Sequence, residues 1–550
     1  YHTRHDPFLM KDMDAAVSRI LSAFRSGETI CVWHDYDCDG IPGGALLHDF
    51  FKKIGHAVQT YVPERNEGYG LNEGGIRALK DAGVSLIITV DCGITDVSEV
   101  ALAKELGIDV IITDHHLPCL AEASGEGGAR DALPDACAVV NPHRADDTYP
   151  FKGLCGTGVA FKLVEALIIR GDFGISAGWE KWLLDLVALA TIADMVPLTG
   201  ENRALVHYGL KVVRKGRRPG LTAIFEREKI PLEFATEDDL SFSVAPKINA
   251  ASRMGSPRLA FELLTTDSPE RARELAETLE ALNKERKIEG MHLAKDVKRK
   301  IESMPVLPSI VVAGSRSWRP SLLSIAASSV VETYGKTVFL WGMDPSPGTG
   351  QAALIKGSCR SDGSVNVVAL MSAVRDLFLD FGGHELAGGF SLAPEAVHTL
   401  AERLEKALAE MTAAVPAGTA AVGEPEPEDS LTLSEITDSA FDALRTLAPF
   451  GEANPKPVFR FRNVSVSAIN FFGPHKDHVK LSLSDDSFIP SASEGQTINA
   501  LAFFFSRASF KDTLALLSAG DRVTVHASLE RSHFRGKKEL RLRVVDLRVA

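Results

Sequence analysis

The chain has 550 residues, more than one hydrophobic core supports, so it divides into about three or four domains of roughly 150 residues each. With 45% hydrophobic and 24% charged residues it is not a wholly disordered, collagen-like or fibrous protein, and no uncharged apolar run reaches the roughly 18 residues of a membrane span. The formal charge is −13, yet residues 456–550 carry 15 Lys and Arg against 9 Asp and Glu, which leaves −19 on residues 1–455, so any partner has to suit a basic tail on an acidic body.

Through the first half, apolar runs rich in β-branched residues alternate with helical periodicity. Strands are expected at TICVW from Thr29, AVQTYV from Ala57, VSLIITV from Val84, DVIIT from Asp109 and CAVVN from Cys137. Helices fall between them, over 44–54, 74–82 and 96–106. This βαβ series predicts an α/β domain over 1–265, with a mostly parallel sheet and right-handed crossovers. Residues 157–300 read mainly helical. They end in a charged stretch with no Gly or Pro between Pro269 and Gly290, which predicts a long helical connector over 266–305. A second α/β domain begins at SIVVAG and spans 306–410. The Ala-, Pro-, Gly- and Glu-rich run of 411–430 has no apolar period and reads as a linker. Over 431–550, VFRFRNVSVSAINF, HVKLSLSD, INALAFFF, RVTVHASLE and ELRLRVVDLRV alternate every second residue, as in an OB-like β-barrel.

Seven cysteines, an odd number with no CxxC spacing, suggest neither a disulfide framework nor a structural zinc site. The opening residues mix charge with apolar periodicity, unlike a secretory signal, so a reduced, cytoplasmic compartment is expected.

Three strands of the series run straight into acids and histidines: TICVW into HDYDCDG (34–40), LIITV into DCGIT (91–95), and DVIIT into DHH (114–116). In an open parallel sheet the carboxyl ends of the strands share one edge, where ligands bind. Asp194, in LVALATIADMVPL, is a fourth contributor. Singly, a DxD pair or a DHH turn is an ordinary cap or solvated loop. Together, Asp35, Asp37, Asp39, Asp91, Asp114 and Asp194 would repel one another so strongly that a cation is required. Carboxylate and imidazole ligands suit Mn²⁺ or Mg²⁺, as one ion or as a pair about 3.5–4 Å apart bridged by a carboxylate. Such a site clamps a phosphoryl group and activates water, so the predicted reaction is hydrolysis of a phosphate ester or phosphoanhydride. Gly40, Gly43 and Gly44 would let a turn and a helix N-terminus approach the anion.

HDYDCDG, VDCGIT, TDHH and ATIADMVPL resemble the four ordered motifs of the DHH phosphoesterase superfamily. DPFLMKDMDAAV (6–17), KINAASRMG (247–255), GGHELAGGF (382–390) and APFGEANPKPVF (448–459) narrow the resemblance to its RecJ-like exonucleases. The resemblance implies that Asp37, Asp39, Asp91, His115 and Asp194 bind metal, two ions of Mn²⁺ or Mg²⁺, with Asp91 as the bridge. Asp35 would be a further ligand or a support behind the ligands. His116 would face the scissile phosphate and Asp114 would orient a histidine. Arg65, Asn249, Arg253, Arg360 and Ser361 would hold phosphates of the strand. Tyr69 would stack on a base or else pack in the core, and His384 would lie beside the nucleotide or in a tight turn.

The implied activity is 5′-to-3′ removal of mononucleotides from single-stranded DNA in recombination and repair, by a monomer, with a single-strand DNA-binding protein and a RecQ-type helicase as partners. The alternatives are a DHH oligoribonuclease or cyclic-dinucleotide phosphodiesterase, and an inactive nucleic-acid-binding scaffold. His34 stands where many relatives have Gly, as an added ligand or a residue packed beside Trp33. Arg319 and Ser321, in SWRPSLLSIAAS, replace a usual His and Gly. In the barrel, Phe459, Phe461, Phe471, Phe472 and Phe534 divide between core and base stacking, and RSHFRGKKELRLR at 531–543 forms a strand-guiding edge.

Overall fold

The computed structural model describes residues 4–120, 131–343, 354–413, 429–473, 476–485, 497–505, 508–532 and 538–549. The apolar runs β1 (Ile30–His34) and β3 (Leu86–Val90) are buried along their whole length, as strands covered by helices on both faces must be. With β2 (Val58–Tyr61), β4 (Asp109–Thr113) and β7 (Ala138–Val140) they make a sheet of order β2-β1-β3-β4-β7 in which every pair is parallel. A two-residue pair, β5 (Cys119–Leu120) and β6 (Asp131–Ala132), lies outside it. The chain order reverses beside β1, which makes the carboxyl edge at β1 and β3 the place where such a sheet receives ligands.

Side chains alternate between the faces of this sheet. Val32, Ile88 and Ile111 pack with the helices Met13–Ser26, Gly40–Lys53, Gly156–Arg170 and Leu184–Ala193. Cys31, Trp33, Ile87 and Ile112 pack with Glu73–Asp81 and Val97–Glu105. The helix expected from residue 44 starts at Gly40, and its glycines serve close packing. A Cβ on Gly44 would stand 2.1 Å from the His34 ring, and one on Gly43 2.4 Å from Val90. The space these two glycines leave is therefore taken by side chains of β1 and β3, which corrects the expectation that they admit an anion.

The helix Pro269–Glu302 is 34 residues long and runs through Gly290 without a break. Its first turns bury Ala272, Leu275, Ala276 and Leu279 in the core of the parallel-sheet domain. The chain divides into two compact units inside this helix, between residues 283 and 284. The second unit holds β8 (Ile310–Ser315), β9 (Thr337–Met343), β10 (Ile355–Arg360), β11 (Phe378–His384) and β12 (Ala387–Leu392), in the order β11-β12-β10-β9-β8. Only the β8–β9 pair is parallel; β9–β10, β10–β12 and β11–β12 are antiparallel.

Most of the linker expected over 411–430, residues 414–428, lies outside the described residues. Beyond it come β13 (Asp429–Ser430), β14 (Phe459–Phe472), β15 (His478–Ser484), β16 (Ile498–Ala502), β17 (Arg522–Ser532) and β18 (Glu539–Val549), in the order β13-β14-β15-β16-β18-β17. Pairing of β14 with β17 closes the last five into an OB-type barrel. Phe461 is buried in it, Phe459 is half-buried and Phe471 and Phe472 are exposed. Phe534 and part of the 531–543 run are outside the described residues. The barrel belongs to the same unit as the parallel sheet. Lys456 is paired with Asp238, the Phe450 N–H donates to Glu237 Oε1 at 3.1 Å, and the Leu198 N–H donates to Glu452 O at 2.8 Å. The APFGEANPKPVF segment is thus the seam between barrel and sheet domain. Among the described residues no helix is long and apolar enough to cross a membrane.

Candidate metal centre and strand-binding residues

Register places the acids. His34, Val90 and Thr113 stand in one row across β1, β3 and β4, so the next residue of each strand leaves the sheet at the same level. Those residues are Asp35, Asp91 and Asp114. Each also continues the ladder through its backbone: Asp35 N–H donates to Val90 O (3.2 Å), Asp91 N–H to Thr113 O (3.0 Å) and Asp114 N–H to Val140 O (3.1 Å).

Asp91 has φ of 63°, a left-handed conformation that costs about 1–3 kcal/mol outside glycine. Tyr69 Oη donates to its carbonyl at 2.9 Å. Gly156, at the start of its helix, sits directly against it, and a Cβ there would come within 2.5 Å of the Asp91 Cβ. The same helix N-terminus holds Asp39, whose carboxylate accepts from Gly156 N (2.6 Å) and Thr157 N (2.8 Å). Asp37 Oδ1 accepts from Asp39 N at 2.8 Å, and Cys38 N donates to Asn249 Oδ1 at 2.9 Å, which fixes the HDYDCDG loop. Asp194 reaches the site from the C-terminal end of Leu184–Ala193, a helix end rather than a strand end.

Nε2 of His115 lies 3.1 Å from Asp91 Oδ1, 3.6 Å from Asp39 Oδ2 and 3.7 Å from Asp194 Oδ2. Three sets of potential ligands converge, with their atoms within 4.8 Å of one another: Asp91, His115 and His116; Asp39, His115 and Asp194; and Asp35, Asp37 and Asp91. Asp91 is common to two of them. Its Oδ1 and the Oδ1 of Asp35 are buried without a hydrogen-bond partner. Burial first, and then the neighbouring carboxylates, push Asp35, Asp91 and Asp194 well above the ordinary carboxyl range. Hard oxygen donors with one or two imidazoles, orphaned in a buried space and repelling each other, fit a divalent cation of the Mg²⁺ or Mn²⁺ type.

The two histidines are driven in opposite directions. Burial and the neighbouring His116 charge lower His115 to about 4, leaving it a neutral imidazole suited to a metal. His116 is raised to about 9, because its 2.8 Å contact from Nδ1 to Asp114 Oδ1 overcomes its burial. Asp114 is held at about 2 in spite of complete burial, by His116 and by the N–H groups of His115, His116 and Ile94. His116 Nδ1 is also 3.0 Å from Tyr69 Oη. Tyr69 is 43% exposed, which removes the core-tyrosine alternative.

Arg65 lies over the Tyr36 ring, 4.5 Å from its centre, and the charges of Arg65 and Arg253 both act on the Tyr36 hydroxyl. Arg65, Arg253 and Asn249 thus gather around the HDYDCDG loop. Arg360 and His384 belong to the second unit, where both stand opposite Ala387 on its two sides. Ser361 there accepts from Gly363 N at 3.0 Å in a tight turn. His34 is stacked on Phe261 at 5.2 Å, not packed beside Trp33, whose ring is on the other face against Tyr61; its Nδ1 contacts Asp35 O, and it joins none of the converging ligand sets. Arg319 pairs with Glu289 at 3.1 Å.

Tyr36, Gly156 and Thr157 were not singled out in the sequence, nor were Asn141 and His143, which hold the carbonyls of His116 (2.9 Å) and His115 (2.5 Å). The readable signals were the NPH that ends the fifth strand of the parallel sheet and the GTG that opens a helix.

The chain matches the DHH family N-terminal domain over residues 29–191, the DHHA1 domain over 307–410 and the RecJ OB domain over 428–546. It is 36% identical to the single-stranded-DNA-specific exonuclease RecJ of Bacillus subtilis over 88% of its own length, and spans 58% of that relative. It is 32% identical to the Salmonella typhimurium RecJ, covering 98% of this chain and 90% of the relative. The crystal structure of Thermus thermophilus RecJ with Mn²⁺ superposes with a TM-score of 0.73 at 27% identity, covering 98% of this chain and 72% of that one. Site geometry, three successive domain matches and full-length similarity agree, and the chain belongs to the RecJ family of single-stranded-DNA-specific exonucleases in the DHH phosphoesterase superfamily.

Proposed function

We propose that this chain hydrolyses single-stranded DNA from its 5′ end to mononucleotides in a divalent-metal-dependent reaction serving recombination and repair. The observation that carries this is the convergence of Asp35, Asp37, Asp39, Asp91, Asp194 and His115 at one sheet edge, with buried oxygens lacking any hydrogen bond. Asp37, Asp39, Asp91, His115 and Asp194, with Asp35 beside them, would hold the divalent cation, Mn²⁺ or Mg²⁺, as two ions. When bound, the ions neutralise the carboxylates and supply Lewis acidity and water activation to a phosphoryl transfer.

The chain's own groups do the rest. Asp114 and Tyr69 fix His116 through Nδ1, and the imidazolium offers positive charge to the scissile phosphate and a proton to the departing oxygen. Arg65, Asn249 and Arg253 hold phosphates of the strand near the HDYDCDG loop, and within the second unit Arg360, Ser361 and His384 are strand-binding residues of their own. The barrel, on the basic part of the chain, retains the rest of the strand by phosphate attraction and base stacking. The protein works as a cytoplasmic monomer, with a single-strand DNA-binding protein and a helicase as the partners its family resemblance implies.

The test is a time course on one single-stranded oligonucleotide labelled at either end, beside its duplex and a short RNA, with Mn²⁺, Mg²⁺ or EDTA. Immediate release of the 5′ label as mononucleotide, stepwise shortening of the 3′-labelled strand and silence in EDTA are expected. Cleavage confined to the short RNA would move the chain to the oligoribonuclease reading.

A further inference from the structure

A tyrosine that is 43% exposed is not held by burial alone, yet the Tyr69 hydroxyl stands 2.9 Å from Asp91 O and 3.0 Å from His116 Nδ1. Its own segment does little to fix it. Gly68 and Gly70, on either side, have φ of 104° and 84°, conformations that glycine enters and leaves with equal ease. What holds the segment is the chain just after the tyrosine. The Trp33 indole N–H donates to Gly70 O at 3.2 Å, and the Leu71 N–H donates to Asp96 Oδ2 at 2.7 Å. Both bonds are buried, where a polar group left without its partner is costly. Trp33 is itself fixed, wholly buried on β1 and stacked on Tyr61 at 4.0 Å.

Asp96 serves this turn instead of its own helix. It is the N-cap of Val97–Glu105, a position where an Asp side chain ordinarily accepts an N–H of the first turn, to the benefit of about 0.5–2 kcal/mol. No such bond is made, and the carboxyl accepts instead from a residue 25 positions earlier. The approach is close, because a Cβ on Gly70 would stand 2.4 Å from Asp96 Oδ2. Nor is the carboxyl placed there for its charge. Burial and the negative charges of Glu99 and Asp114 raise it to about 7, so its part is that of an acceptor that need not be ionised.

We propose that Asp96 is a positioning residue for the nuclease step: by anchoring the Gly70–Leu71 turn it sets the Tyr69 hydroxyl against His116 Nδ1 and the Asp91 carbonyl. That carbonyl belongs to a residue with φ of 63°, so the hydroxyl steadies a strained backbone as well as orienting an imidazole. Among the described residues the Asp96 side chain bonds to Leu71 and Thr95 and to none of the proposed ligands, so its effect passes through one tyrosine. The inference rests on the role given to His116 above.

The test compares variants of the full chain in steady-state cleavage of a single-stranded oligonucleotide, with thermal melting and Mn²⁺ calorimetry alongside. Tyr69→Phe should lower kcat about tenfold and Asp96→Ala about five- to tenfold, as a misplaced group does. The two changes together should fall no more than about twofold below Tyr69→Phe alone, because both act on one contact. Asp96→Asn keeps the acceptor and should restore kcat to within about twofold of the parent, and Mn²⁺ binding should stay within about threefold throughout. Multiplied losses in the double variant overturn the proposal, and so does an Asp96→Asn variant as slow as Asp96→Ala. If Asp96→Ala does not melt cooperatively, Asp96→Gly, which an N-cap tolerates, takes its place in the cycle. Full activity of His116→Gln overturns the reading of His116 and the proposal with it, whereas a slow His116→Gln beside an unimpaired Asp96→Ala overturns the proposal alone.

Discussion

Asp91 Oδ1 and His116 Nδ1 are 3.9 Å apart, and the different duties proposed for the two residues should be separated by their substitutions. Asp91→Asn removes the carboxylate shared by two ligand sets, so Mn²⁺ binding measured by calorimetry and strand cleavage should be lost together. His116→Gln keeps every proposed ligand, so Mn²⁺ binding should persist while kcat falls by about 10²–10³. A second residue-scale prediction concerns pH. Asp96 is raised to about 7 by burial, while its side chain accepts from the Leu71 N–H at 2.7 Å. Because its folded-state pKa lies above the unfolded value of about 4, its contribution to stability is complete below pH 4 and lost as pH climbs through 7. Asp96→Asn removes that loss and keeps the acceptor. Melting curves should show the variant gaining on the parent between pH 5 and pH 8, by a few kcal/mol at most.

At the scale of elements, β1, β3 and β4 of the parallel sheet were legible because each is a mainly apolar run followed directly by an aspartate. The row His34, Val90 and Thr113 then needed only parallel register. Asp194 was legible as a contributor but not as to its element, since LVALATIADM is apolar all round and short apolar runs do not reveal their period. The glycines of the helix Gly40–Lys53 were misjudged for a different reason. A glycine that admits a ligand and one that admits a neighbouring strand look alike in sequence, and only the 2.1 Å clash of a built Cβ with His34 tells them apart. Gly44→Ala should therefore destabilise by about 1–3 kcal/mol through overpacking, as read from denaturant midpoints, although nothing polar changes. The helix Pro269–Glu302 passes Gly290 intact because one glycine costs only about 1 kcal/mol against a long run of favourable residues.

For the whole molecule, composition already showed the separation of an acidic body from a basic tail, and alternation already showed the barrel. The joint between them was not legible. Phe450 meets Glu237 and Lys456 meets Asp238 across more than 200 residues, and such contacts leave no periodic trace. The exposed pair Phe471 and Phe472 lies on β14 where it pairs with β15. Replacing both by Ala should weaken binding of a strand of about thirty nucleotides, by about 1–3 kcal/mol per stacked base, and leave hydrolysis of a dinucleotide unchanged. Equal losses on both substrates would make these rings structural.

The backbone bonds by which Asp35, Asp91 and Asp114 continue the sheet tie the site to the most protected part of the fold. Amide hydrogen exchange at these three residues should follow global unfolding rather than local breathing, with or without Mn²⁺. Under the proposed metal role, acids held this way should keep their positions whether or not an ion is bound. Ion loading would then be an encounter with a preformed cage, its rate set by ion dehydration and access and not by refolding of the loops.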